Sequence, residues 1–257
     1  MRITLIQDII HWAAKAENLQ KAENQIASLS GKTDLVVLPE MFSTGFCIDK
    51  LDLAEEMSQE TVTKLIYWAQ KFNLAITGSF IAKEESKIYN RGFFVFPNGE
   101  IKIADKRHLF SMGGEDNYFS AGNKKLIVNY CGFNICLLIC YDLRFPVWAR
   151  NIQNEYDLLI YVANFPEKRI SNWDILLRAR AVENQAYVCG LNRIGIDGLG
   201  INYNGHSTLL DYNAVQLLNF PENEFSIQTY DLQLDNLNKF RKKFAFWRDA
   251  DIFGVEV

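Results

Sequence analysis

An α/β layered fold is what this chain predicts, and three observations predict it. Short apolar runs rich in β-branched residues recur along the sequence, segments with apolar residues at helical spacing stand between them, and an Asn98-Gly99 pair turns two strand-like segments into a hairpin. Residues 3–7 read as the first strand, and residues 15–28 as a helix with Leu19, Ala22 and Ile26 as its apolar stripe among Lys, Glu and Gln. Residues 34–38 are short and apolar on both faces, as a central strand of a covered sheet must be. A second helix starts near Glu60, with Val62, Leu65, Ile66, Ala69 and Phe72 as its buried stripe and Ser58 as its expected cap. Residues 74–78 and 92–96 follow as strands, the latter turning at Asn98-Gly99 into residues 100–105 and so introducing antiparallel pairing. Residues 133–139 are one continuous apolar run, a buried strand, and Pro146 marks the start of a short helix near Trp148. The alternation closes with a strand at 158–162, a helix at about 173–183, and strands at 186–191 and 207–210.

The bulk composition fits one compact domain, 1–257. A chain of 257 residues with 49% apolar content can bury about three quarters of its unfolded surface without splitting. A formal net charge of −4 gives no electrostatic recruitment to nucleic acid or an anionic membrane, and suits a small neutral or anionic metabolite met by local positive groups. Met1-Arg2 leads directly into the first strand, and no apolar run approaches the roughly 18 residues of a membrane span, so a cytoplasmic protein is expected. The five cysteines would then be thiols; Cys136 and Cys140 fall on one strand face by alternation, too far apart to bridge. There is no C-x-x-C, and His11, His108 and His206 are scattered singly, so neither a metal nor another cofactor is expected. Residues 239–248 mix aromatic rings with positive charge, which in an acidic chain reads as a solvated face or an intersubunit strap.

Three strand ends carry the chemistry. Cys140 ends the apolar run at a turn into a helix, where a thiol leaves the packed interior, the amide of Tyr141 can face what the sulfur attacks, and a nearby helix N-terminus favours thiolate. Glu40 lies just past the carboxyl end of the 34–38 strand, the ligand-binding edge of an open sheet. Lys106 follows the hairpin. Singly, each is an ordinary residue; together they place a thiol, a carboxylate and an ammonium at neighbouring ends.

The motifs Leu38-Pro39-Glu40, Asp105-Lys106-Arg107-His108-Leu109-Phe110 and Cys140-Tyr141-Asp142-Leu143-Arg144-Phe145-Pro146 resemble those of the nitrilase, or carbon-nitrogen hydrolase, superfamily, and they occur in its order. Gly113-Gly114-Glu115, Val162-Ala163-Asn164-Phe165-Pro166, residues 178–185 and Gly205-His206-Ser207 extend the resemblance over nearly the whole chain. Residues 39–46 and 144–151 are most similar to the ω-amidase branch. The resemblance implies a four-layer αββα sandwich with mixed sheets and a homodimer, with the tail from about 233 at the subunit interface. It implies a Glu40, Lys106, Cys140 catalytic set, a supporting Glu115, an oxyanion site at the Tyr141 amide, and a pocket lined by Tyr141, Asn164 and Phe165. The expected reaction is hydrolysis of the terminal amide of α-ketoglutaramate or α-ketosuccinamate, by water, through a thioester. Another amidase acting on carbamoyl or aliphatic amides is the alternative, and an idle scaffold the reading from another class. Phe165 stands where many relatives of that branch have Trp, and Val147 where much of the superfamily has Glu; both bear on pocket shape. The anchor for a substrate carboxylate stays unassigned, Arg144 being read as an ion-pair partner of Asp142 or Glu183.

Overall fold

The computed structural model describes residues 1–251 and 253–255. In chain order the elements are β1 (Arg2–Gln7), α1 (Lys15–Ser28), β2 (Leu35–Val37), α2 (Glu60–Phe72), β3 (Ala75–Glu84), β4 (Lys87–Val95), β5 (Ile101–Asp105), β6 (Leu126–Tyr130), β7 (Phe133–Ile139), α3 (Pro146–Ala149), β8 (Leu158–Ala163), α4 (Ile170–Asn184), β9 (Tyr187–Asn192), β10 (Ile194–Ile196), β11 (Asn202–Asn204), β12 (Thr208–Leu210), β13 (Gln216–Asn219), β14 (Ser226–Asp231) and α5 (Leu234–Lys243). They build two six-stranded mixed sheets, β14-β1-β2-β3-β4-β5 and β13-β12-β9-β8-β7-β6, with β10 and β11 as a separate hairpin.

Four layers follow from where the apolar side chains go. Ile3, Leu5, Leu35, Val37 and Phe94 of the first sheet meet Ile135, Leu137, Ile160, Val162 and Leu191 of the second in a shared core. The opposite face of the first sheet, with Val36, Ile76 and Phe80, is covered by Leu19 and Ile26 of α1 and Leu65 and Trp68 of α2. The outer face of the second, with Cys136, Leu138, Leu159 and Val188, packs against Trp148, Trp173, Leu177 and Ala181. This is the αββα order, and it explains why the central strands are apolar on both faces. α4 lies so close to β9 that a Cβ at Gly190 would overlap Leu177 and Trp173.

The local readings hold with three corrections. α2 begins with Gln59, not Ser58, at the cap position; no side chain caps it directly, and the buried Glu55 carboxylate accepts from the Thr61 N–H and hydroxyl instead. α4 begins three residues before Trp173. Cys140 does not share the strand alternation with Cys136, because β7 stops at Ile139 and Cys140 turns to φ 45° at the head of a 3-10 turn. The start of the tail is also anchored on its own chain: Leu237 is fully buried, and Arg241 pairs with Asp157 at 2.6 Å while donating to the Tyr156 and Gln185 carbonyls at 2.7 and 2.8 Å.

Candidate functional site

β2, β7 and β8 run parallel within their sheets, and their carboxyl ends meet at one end of the sandwich, where β5 also finishes. That convergence brings Glu40, Lys106, Glu115 and Asn164 together beside Cys140. Glu40, Lys106 and Glu115 are all buried. The Lys106 ammonium donates to Glu40 Oε1 at 3.0 Å and to Glu115 Oε1 and Oε2 at 3.1 and 2.9 Å. Glu40 Oε1 also accepts from Asn90 Nδ2 at 2.8 Å, while its Oε2 accepts from the Asn164 N–H at 2.8 Å and from Asn164 Nδ2 at 3.2 Å. Glu115 Oε2 accepts from the Phe110 N–H at 2.6 Å, and Oε1 from Asn90 Nδ2 at 3.3 Å. Two carboxylates thus share one cation and one amide, and the hydrogen-bond partners of their oxygens described above are all donors, which suits the ionised forms.

The electrostatics have definite signs. Burial acts to lower the pKa of Lys106, but the carboxylates of Glu115 and Glu40 outweigh it and hold the ammonium above the usual lysine range. Burial raises Glu115, against the pull of Lys106. Burial and then the neighbouring Glu40 carboxylate push the Cys140 thiol well above its ordinary value, and Lys106 opposes without reversing the shift. This corrects the expectation of a resting thiolate. The helix after Cys140 is only the four-residue α3, so its N-terminus contributes little against two carboxylates. The carboxylate that raises the thiol's pKa is also its nearest acidic neighbour by effect, so the two groups are electrostatically linked.

The turn holding Cys140 is clasped to the one holding Lys106. Asp142 Oδ2 accepts from the Ile139 N–H at 3.1 Å, while Oδ1 accepts from the His108 N–H at 2.9 Å and lies 2.8 Å from His108 Nδ1. The His108 ring stacks on Phe145 at a centroid distance of 3.7 Å. Behind Lys106, its carbonyl accepts from the Gly122 N–H at 2.8 Å, and a Cβ at Gly122 would fall on the Asp105 carbonyl oxygen. Only glycine permits that approach. On the far side Asn192 donates to the Phe165 and Gly205 carbonyls at 2.9 and 2.8 Å and accepts from the Phe165 N–H at 2.8 Å, fixing the turn at 164–165.

A cavity of about 390 Å³ opens over Cys140, walled by Phe46, Tyr141, Asn164, Phe165 and Tyr203 among others. The Cys140 thiol lies 3.9 Å from the Asn164 carbonyl oxygen. Tyr141, Asn164 and Phe165 therefore stand where the sequence puts them. Arg144 does not: Asp142 is engaged by His108, Glu183 pairs with Arg180 at 2.9 Å, and the Arg144 guanidinium faces the cavity, 5.9 Å from the Phe165 ring centroid. Arg169 joins the same wall, 5.0 Å from the Phe110 ring. Among the described residues neither guanidinium has an acidic partner. Sequence reasoning missed Asn90, which lies on β4 before the segment read as a strand, and Asn192, the last residue of β9. Both are buried, but no local sequence pattern marks Asn90, which sits between Tyr89 and Arg91, whereas Asn192 directly follows the apolar run 186–191. Among the described residues no cluster of three or more His, Cys, Asp and Glu side chains is arranged to hold a metal, and no helix is long and apolar enough to cross a membrane.

Comparison with known proteins agrees with this geometry over almost the full length. The chain is 41% identical over 256 residues to the omega-amidase YafV of Escherichia coli (strain K12), covering 99% of this chain and 98% of that protein. It is 34% identical over 213 residues to the 2-oxoglutaramate amidase of Bacillus subtilis (strain 168), covering 81% and 82%. A crystal structure of a CN-hydrolase superfamily protein from Xanthomonas campestris, with an arsenic adduct in its active site, superposes with a TM-score of 0.97 at 35% identity, covering 100% of this chain and 99% of that one. The carbon-nitrogen hydrolase family model matches residues 2–242, so the chain belongs to the carbon-nitrogen hydrolase family, in the nitrilase superfamily.

Proposed function

We propose that the protein is an ω-amidase, hydrolysing the terminal carboxamide of a small α-keto acid amide such as α-ketoglutaramate or α-ketosuccinamate to the acid and ammonia through a Cys140 thioester. One observation carries the reading: a buried Glu40–Lys106–Glu115 cluster stands beside a thiol in a cavity whose wall also holds guanidinium groups that have no acidic partner among the described residues. The cluster suits amide cleavage, and the guanidinium groups suit a substrate bearing a carboxylate. Relatives named omega-amidase and 2-oxoglutaramate amidase support the same choice.

Cys140 starts as a thiol. As its sulfur attacks the amide carbon, Glu40 takes the proton, releasing the long Asn164 Nδ2 contact to Oε2; that amide keeps its 2.9 Å bond to the Glu40 carbonyl oxygen. The developing oxyanion is met by the Lys106 ammonium and the Tyr141 amide. Lys106 can turn one N–H toward it because two of its three contacts go to the same Glu115 carboxylate. Glu40 hands its proton to the amide nitrogen and ammonia departs. Water, deprotonated by Glu40, then cleaves the thioester, and the proton returns to sulfur. Glu115 keeps Lys106 charged and in place. Arg144 takes the substrate carboxylate, bidentate if the group lies in the guanidinium plane.

A second reading, an amidase for aliphatic or carbamoyl amides, is favoured by the apolar mouth of the cavity, where Met112 and Leu199 are exposed. Ammonia release from α-ketoglutaramate, compared with butyramide and an N-carbamoyl amine, decides between them, with Cys140→Ala as control. Rapid release from the keto acid amide, lost in the variant, supports the first reading; preference for either comparator overturns it.

A further inference from the structure

We infer that Arg169 selects 2-oxo acid amides over the matching 2-amino acid amides, and so is a specificity-determining residue of the site; this rests on the ω-amidase reading. α-Ketoglutaramate and glutamine present the same carboxamide to Cys140 and the same carboxylate at the other end. They differ at one carbon, which bears a neutral carbonyl oxygen in the first and an ammonium in the second. Discrimination must come from whatever faces that carbon.

The charges around the cavity determine what it faces. Lys106 is held between Glu40 and Glu115, so it contributes no free positive charge to a distal substituent. Arg144 and Arg169 remain, both on the cavity wall and both lying over aromatic rings. A carboxylate held bidentate by one guanidinium leaves the other guanidinium available to the adjoining carbon. With Arg144 taking it, Arg169 is left to meet the neighbouring carbon. A carbonyl oxygen there accepts a hydrogen bond from it; an ammonium is repelled.

The obvious counter-charge is Asp197, which also lines the cavity and could otherwise welcome an ammonium. Its charge is already faced by the buried Arg193 guanidinium, and three donors hold its oxygens. Oδ1 accepts from the Leu199 and Ile201 N–H groups at 2.8 and 3.0 Å, and Oδ2 accepts from the Tyr203 hydroxyl at 2.9 Å. Asp197 is only 8% exposed. It shapes the β10–β11 hairpin loop rather than offering a cation site. Repulsion between two like charges across a partly shielded cavity corresponds to a preference of about tenfold to a hundredfold.

The test is the ratio of kcat/KM for α-ketoglutaramate to that for glutamine in the wild-type protein, Arg169→Gln and Arg169→Lys. In Arg169→Gln the ratio should fall at least about tenfold, chiefly through KM. Arg169→Lys keeps the charge and should retain most of the ratio, which separates electrostatic selection from a purely structural role. An unchanged ratio in Arg169→Gln overturns the inference, and so does an Arg169→Lys ratio as low as that of Arg169→Gln. A wild-type protein silent on α-ketoglutaramate refutes the ω-amidase reading itself, an outcome visible before any variant is made.

Discussion

Removing the Lys106 ammonium should cost the protein stability as well as turnover, and the two losses should respond differently to pH. Lys106→Met keeps the side chain as far as Cε and deletes three hydrogen bonds of 2.9–3.1 Å to two fully buried carboxylates. Removing one partner of a buried ion pair costs about 3–5 kcal/mol, because the group left behind is an uncompensated charge. Here two carboxylates are left behind. Asn90, the Asn164 amides and the Phe110 N–H still serve them, so that range stands without doubling. At about 2–4 °C per kcal/mol for a chain of this size, the melting temperature should fall by roughly 6–20 °C. Burial already raises the folded-state pKa of Glu115 against the pull of Lys106, and without the cation it rises further above its unfolded value. A group raised in this way stabilises the fold below its unfolded pKa and loses that contribution as pH rises through the folded one. The deficit against wild type should therefore be larger near about pH 8 than near about pH 5. Adding Glu115→Gln should recover part of it. Thermal melts followed by circular dichroism give the stability, and ammonia release gives the turnover, which should fall about 100- to 1000-fold for the loss of one oxyanion donor. A stability loss below about 1 kcal/mol that is flat with pH would refute the reasoning that this cluster is a strained charge balance held by Lys106.

Three further outcomes are expected. Labelling of Cys140 by iodoacetamide should keep rising with pH beyond neutrality, with no plateau near pH 7, because burial and Glu40 raise the thiol; a plateau there, read by mass spectrometry of the Cys140 peptide, would mean a resting thiolate. Asp142→Asn should lower kcat by about 10- to 100-fold with little change in KM, since it loosens the clasp between the Cys140 and Lys106 turns without touching substrate; equal effects on both parameters would contradict that role. Gly122→Ala should cost about 2 kcal/mol or more in urea unfolding and reduce turnover with it, because the added methyl group must displace the backbone that carries Lys106; a neutral result would mean that this segment is free to move.

Much of this was legible because the relevant strands are apolar on both faces. The 133–139 run is β7 to the residue, and residues 15–28 are α1, since Leu19, Ala22 and Ile26 do line its buried side. Strand ends were harder. β4 extends back to Lys87 through Tyr89, Asn90 and Arg91, a polar stretch whose burial comes from neighbours distant in sequence, and so Asn90 was passed over. β14 alternates weakly and is half-exposed; its place beside β1 is fixed by pairing across more than two hundred residues, which no local pattern records. The catalytic candidates could be named from their motifs, but the sign of the Cys140 shift could not, since it depends on how near Glu40 and Lys106 each come to the sulfur. Arg144 was misread for a related reason: its two nearest acids in sequence are engaged elsewhere, by His108 and by Arg180.

The backbone at Cys140 has φ 45°, and Met41, directly after Glu40, has φ 47°. Both are left-handed conformations that side chains with a Cβ adopt at a cost of about 1 kcal/mol or more, and both sit where the chain must swing a reacting group out of the sheet. Glycine would relieve each position. A directed-evolution screen that rewarded only thermal tolerance would then tend to erase the nucleophile, keeping a sturdier shell with no turnover. A thermostabilising campaign on this enzyme should hold positions 40, 41 and 140 fixed from the first round, and select on ammonia release alongside heat resistance.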